Sequence, residues 1–201
     1  MRTQLKRAAS CGLVVLALAL AGCSEDPERP SEPETTSSET STTSATPTPT
    51  ASSGPNGVVP IPVPDPRASE QTEEGAIAFN VHWVMTLDFS YATLDVEPLR
   101  AASSPECNFC NYIVDFLGPR RDQGYVYQGG RFTVTGSLVL AFDGTSATVT
   151  TIFSVTELVV TDPQGNRDPD SEAAHAAFQF QNQLTWTDQG WLVLDAKGGD
   201  V

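Results

Sequence analysis

The spacing of apolar residues divides the chain into a polar N-terminal zone, a zone of helical period and a zone of period two. In the second zone Ala76, Phe79, Asn80, Trp83 and Leu87 recur at helical spacing, beside a neighbouring stripe of Ala78, His82, Met85 and Phe89. This predicts a helix from about Ser69, whose hydroxyl suits an N-cap, to about Phe89, covered on two sides. Glu70, Glu73 and Glu74 fall where the positive end of a helix dipole favours acids. A short second helix is expected from Asp95, with Pro98 tolerated in its first turn and Pro105 closing it. A third should begin near Cys107, bury Phe109, Tyr112, Ile113 and Phe116, and weaken at Gly118-Pro119.

Beyond Tyr125 the period changes. Phe132 to Phe142 is rich in β-forming residues and meets the turn Asp143-Gly144, after which Ala147, Val149, Thr151, Phe153 and Val155 alternate with Thr148, Thr150, Ile152, Ser154 and Thr156. A polar loop from Asp162 to Asp170 precedes the clearest alternation. There Phe178, Phe180, Asn182, Leu184 and Trp186 share one face, and His175, Gln179, Gln181 and Gln183 share the other. The turn Thr187 to Gly190 leads into a last strand from Trp191 to Ala196. Helices followed by long antiparallel strands predict an α+β domain, residues 68–201, with the helices packed on one face of the sheet.

The first zone carries no such pattern. Met1 to Arg7 is positive and runs into the apolar stretch Gly12 to Ala21, as in a signal peptide. That stretch is shorter than the roughly 20 residues a membrane span needs. It ends in Leu20-Ala21-Gly22-Cys23, which resembles the lipobox and implies cleavage after residue 22 and lipidation of Cys23. Residues 23–67 are dominated by Ser, Thr, Pro and Glu, with Pro60-Ile61-Pro62-Val63-Pro64 among the stiffest parts, and read as a disordered stalk.

Charge narrows the partners. All 25 acids follow Cys23 and three of the 11 bases precede it, so the expected mature chain has 25 acids against 8 bases, a formal charge of −17. Nucleic-acid binding rests on Lys and Arg neutralising phosphates and is excluded as an expectation. Anionic lipid repels such a domain, which leaves the lipid on Cys23 as its expected membrane attachment, on the outer face of the cell membrane.

Cys107 and Cys110 are the cysteines that remain in the exported domain. A disulfide is the simplest state outside the cytoplasm. A redox pair is the sharper alternative, since a thiol at a helix start has a lowered pKa, although here the motif follows Pro105-Glu106 rather than a strand. A zinc site would need two further ligands, for which His82 and His175 are the available histidines.

Three pieces of sequence carry a resemblance: Leu20-Ala21-Gly22-Cys23, Tyr91-Ala92-Thr93-Leu94-Asp95 leading to Leu99, and Cys107-Asn108-Phe109-Cys110. Together they resemble a family of actinobacterial lipoproteins of unknown function, with a Thr/Pro-rich stalk, a helical Cys-x-x-Cys and a domain like nuclear transport factor two. That family has Thr-Gly-Asp before its second helix, where this chain has Leu94 in place of the glycine. The resemblance implies a cone-shaped domain in which a curved antiparallel sheet wraps a helix and leaves a pocket.

On that frame the candidate pocket residues are His82, Trp83, Asn182 and Trp186. Asn182 is the polar residue on an otherwise apolar face and either orients a ligand or satisfies a buried backbone group. His82 either enters a cavity or is a hydrogen-bonded core histidine; Asp88 and His175 read as solvent-facing. The first functional reading is a lipid-anchored extracytoplasmic binding or interaction module, for a small ligand or an envelope protein, with no cofactor or metal. An enzyme of the dehydratase or isomerase kind, using His82 and an acid, is the second. A structural envelope lipoprotein is the third.

Overall fold

The computed structural model describes residues 51–54 and 56–201. Cys23, the expected signal peptide and most of the expected stalk lie outside the described residues. The stalk reading fails at its C-terminal end, because the chain is ordered before Arg67. Strands β1 (Ala51–Gly54) and β2 (Gly57–Pro60) form a hairpin, and a 3-10 turn covers Pro66–Ser69. Val59 is buried with Phe89 and Ala92, and Ile61 packs against them. Asn56 donates to the carbonyls of Ala92 and Tyr127, each at 3.1 Å, and accepts the Gly129 N–H at 3.1 Å. A proline-interrupted extended segment has little backbone freedom left to lose. Two docked apolar side chains and one asparagine therefore hold what composition alone reads as disorder.

Helix α1 (Glu73–Thr93) begins at Thr72, not Ser69: the Thr72 hydroxyl accepts the Gly75 N–H at 3.0 Å. Gly75 is required there, since a Cβ would lie 2.0 Å from the carbonyl oxygen of Glu70. That same carbonyl accepts the indole N–H of Trp191 at 2.9 Å, which ties the helix entry to the sheet. Burial extends around most of α1, as its two apolar stripes predict. The hydroxyls of Thr86, Ser90 and Thr93 donate back to carbonyls within the helix at 2.7–2.8 Å, so burying them leaves no orphan donor.

The helix runs past Phe89 and stops at Leu94, whose φ of 59° is left-handed. That conformation costs an L-residue about 1–2 kcal/mol. Burial of the Leu94 side chain, 4% exposed, is worth about 1.5–3 kcal/mol and offsets it. The glycine of the Thr-Gly-Asp pattern would adopt this turn without strain, but would bury nothing.

Helix α2 (Glu97–Ala101) is short, and Asp95 helps start it by accepting the Glu97 N–H at 3.1 Å. Helix α3 (Asn108–Gln123) continues through Gly118-Pro119. Pro119 and Asp115, whose carbonyl loses its helical donor to the proline, are both exposed, so the break is tolerated. The buried face is Cys110, Ile113, Val114 and Leu117 rather than the aromatic set; Tyr112 is 61% exposed.

The main sheet is antiparallel in the order β4-β5-β7-β8: Phe132–Phe142, Ser146–Val155, His175–Thr187 and Gly190–Asp200. All four match predicted strands, with β8 longer than expected. Besides the β1–β2 hairpin, two further strands were not predicted, β3 (Val126–Gly129) and β6 (Leu158–Thr161), which pair with each other. Register shifts at Val134/Gly136, Val139/Ala141, Phe153/Val155 and Gln183/Leu184 bend the strands. The core lies between this bent sheet and the helices, so the chain is an α+β fold with helices packed on antiparallel strands.

Candidate functional site

The predicted pocket residues do not converge. Trp83 is fully buried, donates its indole N–H to the Ser103 hydroxyl at 2.9 Å and meets Phe180 edge-on at 5.5 Å. Asn182 donates to the Asn80 side-chain oxygen at 2.8 Å, and Asn80 donates to the Thr151 hydroxyl at 2.8 Å. Ser137 and Thr151 share a further bond of 2.7 Å. Asn182 thus closes a chain of side chains between α1 and the sheet through its amide N–H, while its own Oδ1 is buried without a partner. Trp186 stacks edge-on against Trp191 at 5.1 Å. The space between the first half of α1 and β7 is filled.

His82 does line a cavity, on the other side of α1. The segment from Val59 to Arg67 leaves a groove of about 680 Å3 against the helix, floored by Ile77, Val81, Met85 and Phe89. His82 is half-buried, its Nδ1 has no partner, and burial holds its pKa below the ordinary imidazole value. Asp88, read from sequence as exposed, is buried in the same groove. It accepts from Arg131 Nε at 3.0 Å, Arg131 Nη2 at 2.6 Å and the Phe132 N–H at 2.9 Å. A carboxylate so engaged joins α1 to the start of β4.

A second cavity, of about 560 Å3, opens between the last turns of α1, helix α3 and the inner face of the sheet. Its wall is aromatic. Tyr91 lies 6.4 Å from Tyr127 and 6.3 Å from Phe132, and Phe153 stacks on Phe132 at 4.8 Å and on Phe180 at 5.6 Å. Phe109 and Phe116 from α3 complete it, which accounts for their partial exposure. Tyr127 is 1% exposed, yet its hydroxyl has no hydrogen-bond partner. Burial raises that phenol to a pKa of about 12, against the opposing influence of the nearby Arg120 cation. Burial also raises Tyr91, and the charge of Glu172 adds to the effect.

The rim is acidic. Asp170 and Glu172 line it with His175 and Lys197. Arg120 is bound to Asp170, lies 3.9 Å from Asp168 and covers the rings of Phe116 at 4.1 Å and Tyr125 at 4.6 Å. His175, half-buried rather than solvent-facing, has Nδ1 3.3 Å from an Asp200 oxygen.

Sequence reasoning missed this cavity because its residues come from eight separate elements. Tyr91 was legible as the continuation of the α1 stripe one turn beyond Leu87, and Phe153 as an inward position of β5. Tyr127 belongs to the unpredicted β3, and nothing local marks it.

Cys107 and Cys110 form a disulfide at the start of α3, and Cys107 Sγ accepts the Cys110 N–H at 3.2 Å. Both are buried, at 0% and 1% exposure, so a redox partner has no access and the bond is structural. Among the described residues no three His, Cys, Asp or Glu groups are placed to hold a metal ion, and no helix is long and apolar enough to cross a membrane.

Residues 45–197 match a family model described as a family of unknown function, DUF6318. No curated protein matches the sequence. Among solved structures, the intermembrane space region of the chloroplast protein ARC6 is similar at 15% identity, over 65% of this chain and 98% of that one, with a TM-score of 0.46. The Kfla4162 protein from Kribbella flavida is similar at 12% identity over 64% of this chain and 93% of its own, with a TM-score of 0.44. A variant of Rv3472, a protein of unknown function from Mycobacterium tuberculosis, is similar at 14% identity over 64% and 77%, with a TM-score of 0.43.

Proposed function

We infer the function of this chain, which belongs to the DUF6318 family of unknown function, from its own residues: it is a lipid-anchored binding module whose aromatic cavity takes a small, largely apolar ligand. The observation that carries the reading is the cavity of about 560 Å3 walled by aromatic rings. Ligand sites have that size and make-up, apolar walls with few polar groups. The unpartnered Tyr127 hydroxyl supports it, since a buried donor without a partner costs stability unless a ligand or water completes it.

The anchor rests on Leu20-Ala21-Gly22-Cys23 after a positive, apolar leader. A lipid on Cys23 would place the module at the outer face of the cell membrane, and the acidic chain would stand off from anionic headgroups. Labelling cells with an alkyne analogue of palmitate tests this: wild-type chain takes the label, and Cys23→Ala does not. Label retained by Cys23→Ala would remove the anchor.

An acid–base enzyme built on His82 is disfavoured by Asp88, whose oxygens already serve Arg131 and the Phe132 N–H. The binding reading is tested with the uncharged dye N-phenyl-1-naphthylamine, added to residues 24–201 exported behind a cleavable leader. The dye should bind one to one and brighten, and Ala173→Trp, at an exposed position on the cavity rim, should abolish the signal. Absence of binding, or binding indifferent to that substitution, sinks the reading.

A further inference from the structure

We propose that the aromatic cavity selects an amphipathic organic cation, its apolar body against Phe132, Phe153 and Phe180 and its ammonium group between the Glu172 carboxylate and the ring of Tyr91. The proposal rests on the binding reading above and adds the charge of the ligand. Three observations carry it.

The first is the rim. Each basic group there faces a carboxylate: Arg120 faces Asp168 and Asp170, Lys197 Nζ lies 3.7 Å from Asp195, and His175 lies 3.3 Å from Asp200. Glu172 makes no ion pair with any described residue, so the rim carries an uncompensated negative charge.

The second is that Glu172 is held in place. Its backbone N–H donates to the Leu158 carbonyl and its carbonyl accepts the Leu158 N–H, both at 2.9 Å, which fixes this loop residue to β6 at the mouth of the cavity. A carboxylate on a fixed backbone is a better partner for a ligand charge than one on a mobile loop, because less order remains to be imposed on binding.

The third is the wall behind it. Tyr91 stands 6.4 Å from Tyr127 and 6.3 Å from Phe132, so three aromatic rings cluster in the wall of the cavity that Glu172 also lines. Rings attract cations through their quadrupole, and quaternary ammonium groups most often bind where several rings meet. An anionic amphiphile would bring its charge against Glu172 and those ring faces, with the cations already neutralised.

The test displaces the dye from residues 24–201 with three ten-carbon amphiphiles below their micelle concentrations: decyltrimethylammonium, decanol and decyl sulfate. Decyltrimethylammonium should compete on the order of tenfold more strongly than decanol, and decyl sulfate most weakly. Glu172→Gln should remove most of the preference for the cation while leaving decanol unchanged; a preference that persists in this variant overturns the role of Glu172. Decyl sulfate competing as well as the cation overturns the proposal and leaves the binding reading standing. Dye and decanol both failing to bind overturns the binding reading itself. An effect shared equally by the Ala173→Trp variant would place the amphiphile on the surface and overturn the proposal.

Discussion

Helix α1 faces the same sheet along its length, yet the two halves of that interface are built differently. Around Trp83 the space is closed: rings meet edge-on, and Asn80, Asn182 and Thr151 bond to one another, with the Asn182 oxygen left without a partner. Around Tyr91 the space is open, the rings line a void, and the buried Tyr127 hydroxyl is left over. Polar groups in a low-dielectric interior are stabilising when they complete each other and costly when one is missing. The closed half is held by filled packing and a linked set of side chains, and the open half retains an unfilled aromatic surface.

The largest expected effect that would break this contrast is at Trp83. Trp83→Ala should destabilise the domain by about 3–5 kcal/mol in urea unfolding. Tyr91→Phe, in the open half, should cost less than about 1 kcal/mol. Equal costs would mean that the two halves are packed alike. Next in size is Asn182→Ala, which strands the buried Asn80 oxygen and should cost about 2 kcal/mol. If it costs nothing, the asparagine pair is not what closes that half.

Reducing the disulfide should cost about 2 kcal/mol, the chain-entropy value for so short a loop, read as the loss of urea midpoint with and without reductant. It acts at the start of α3, whose Phe109 and Phe116 wall the open half, so dye binding should weaken with it. Tyr127→Phe sharpens the comparison from the other side. Removing an unpartnered hydroxyl should leave stability unchanged or raise it by up to about 1 kcal/mol, opposite in sign to Asn182→Ala.

The smallest effect concerns His82, in the groove on the far face of α1. Burial depresses its folded-state pKa, so the unfolded chain takes up the proton first as the pH falls. The stability contributed by the neutral ring is complete above an unfolded value of about 6.5 and declines as the pH falls toward the folded value. The melting temperature of the wild type should therefore drop more between pH 7.5 and 5 than that of His82→Gln. Parallel profiles would show that His82 is better hydrated than its unpartnered Nδ1 indicates.

The elements with strong periodicity were legible. The two stripes of α1, the Asp143-Gly144 hairpin and the alternation from Phe178 to Trp186 all became what their spacing predicts. Weak local patterns were not: β3 and β6 are four residues each and gain their hydrogen bonds from one another across more than twenty positions. The segment ending at Arg67 misled for a related reason, since Val59 and Ile61 are two apolar residues in a proline-rich run and acquire meaning when Phe89 is beside them.

The sequence by itself determined the fold class, the faces of the long strands and the pairing of Cys107 with Cys110, because each follows from local spacing and a few residues' chemistry. Tertiary structure alone decided which polar groups complete each other. Asn182 finds Asn80 at a separation of 102 residues, and Asp88 finds Arg131 at 43. It also decided where the void lies, since a cavity is space left unfilled by side chains from several elements at once. No single stretch of sequence contains that information, because packing is a property of what meets across the fold.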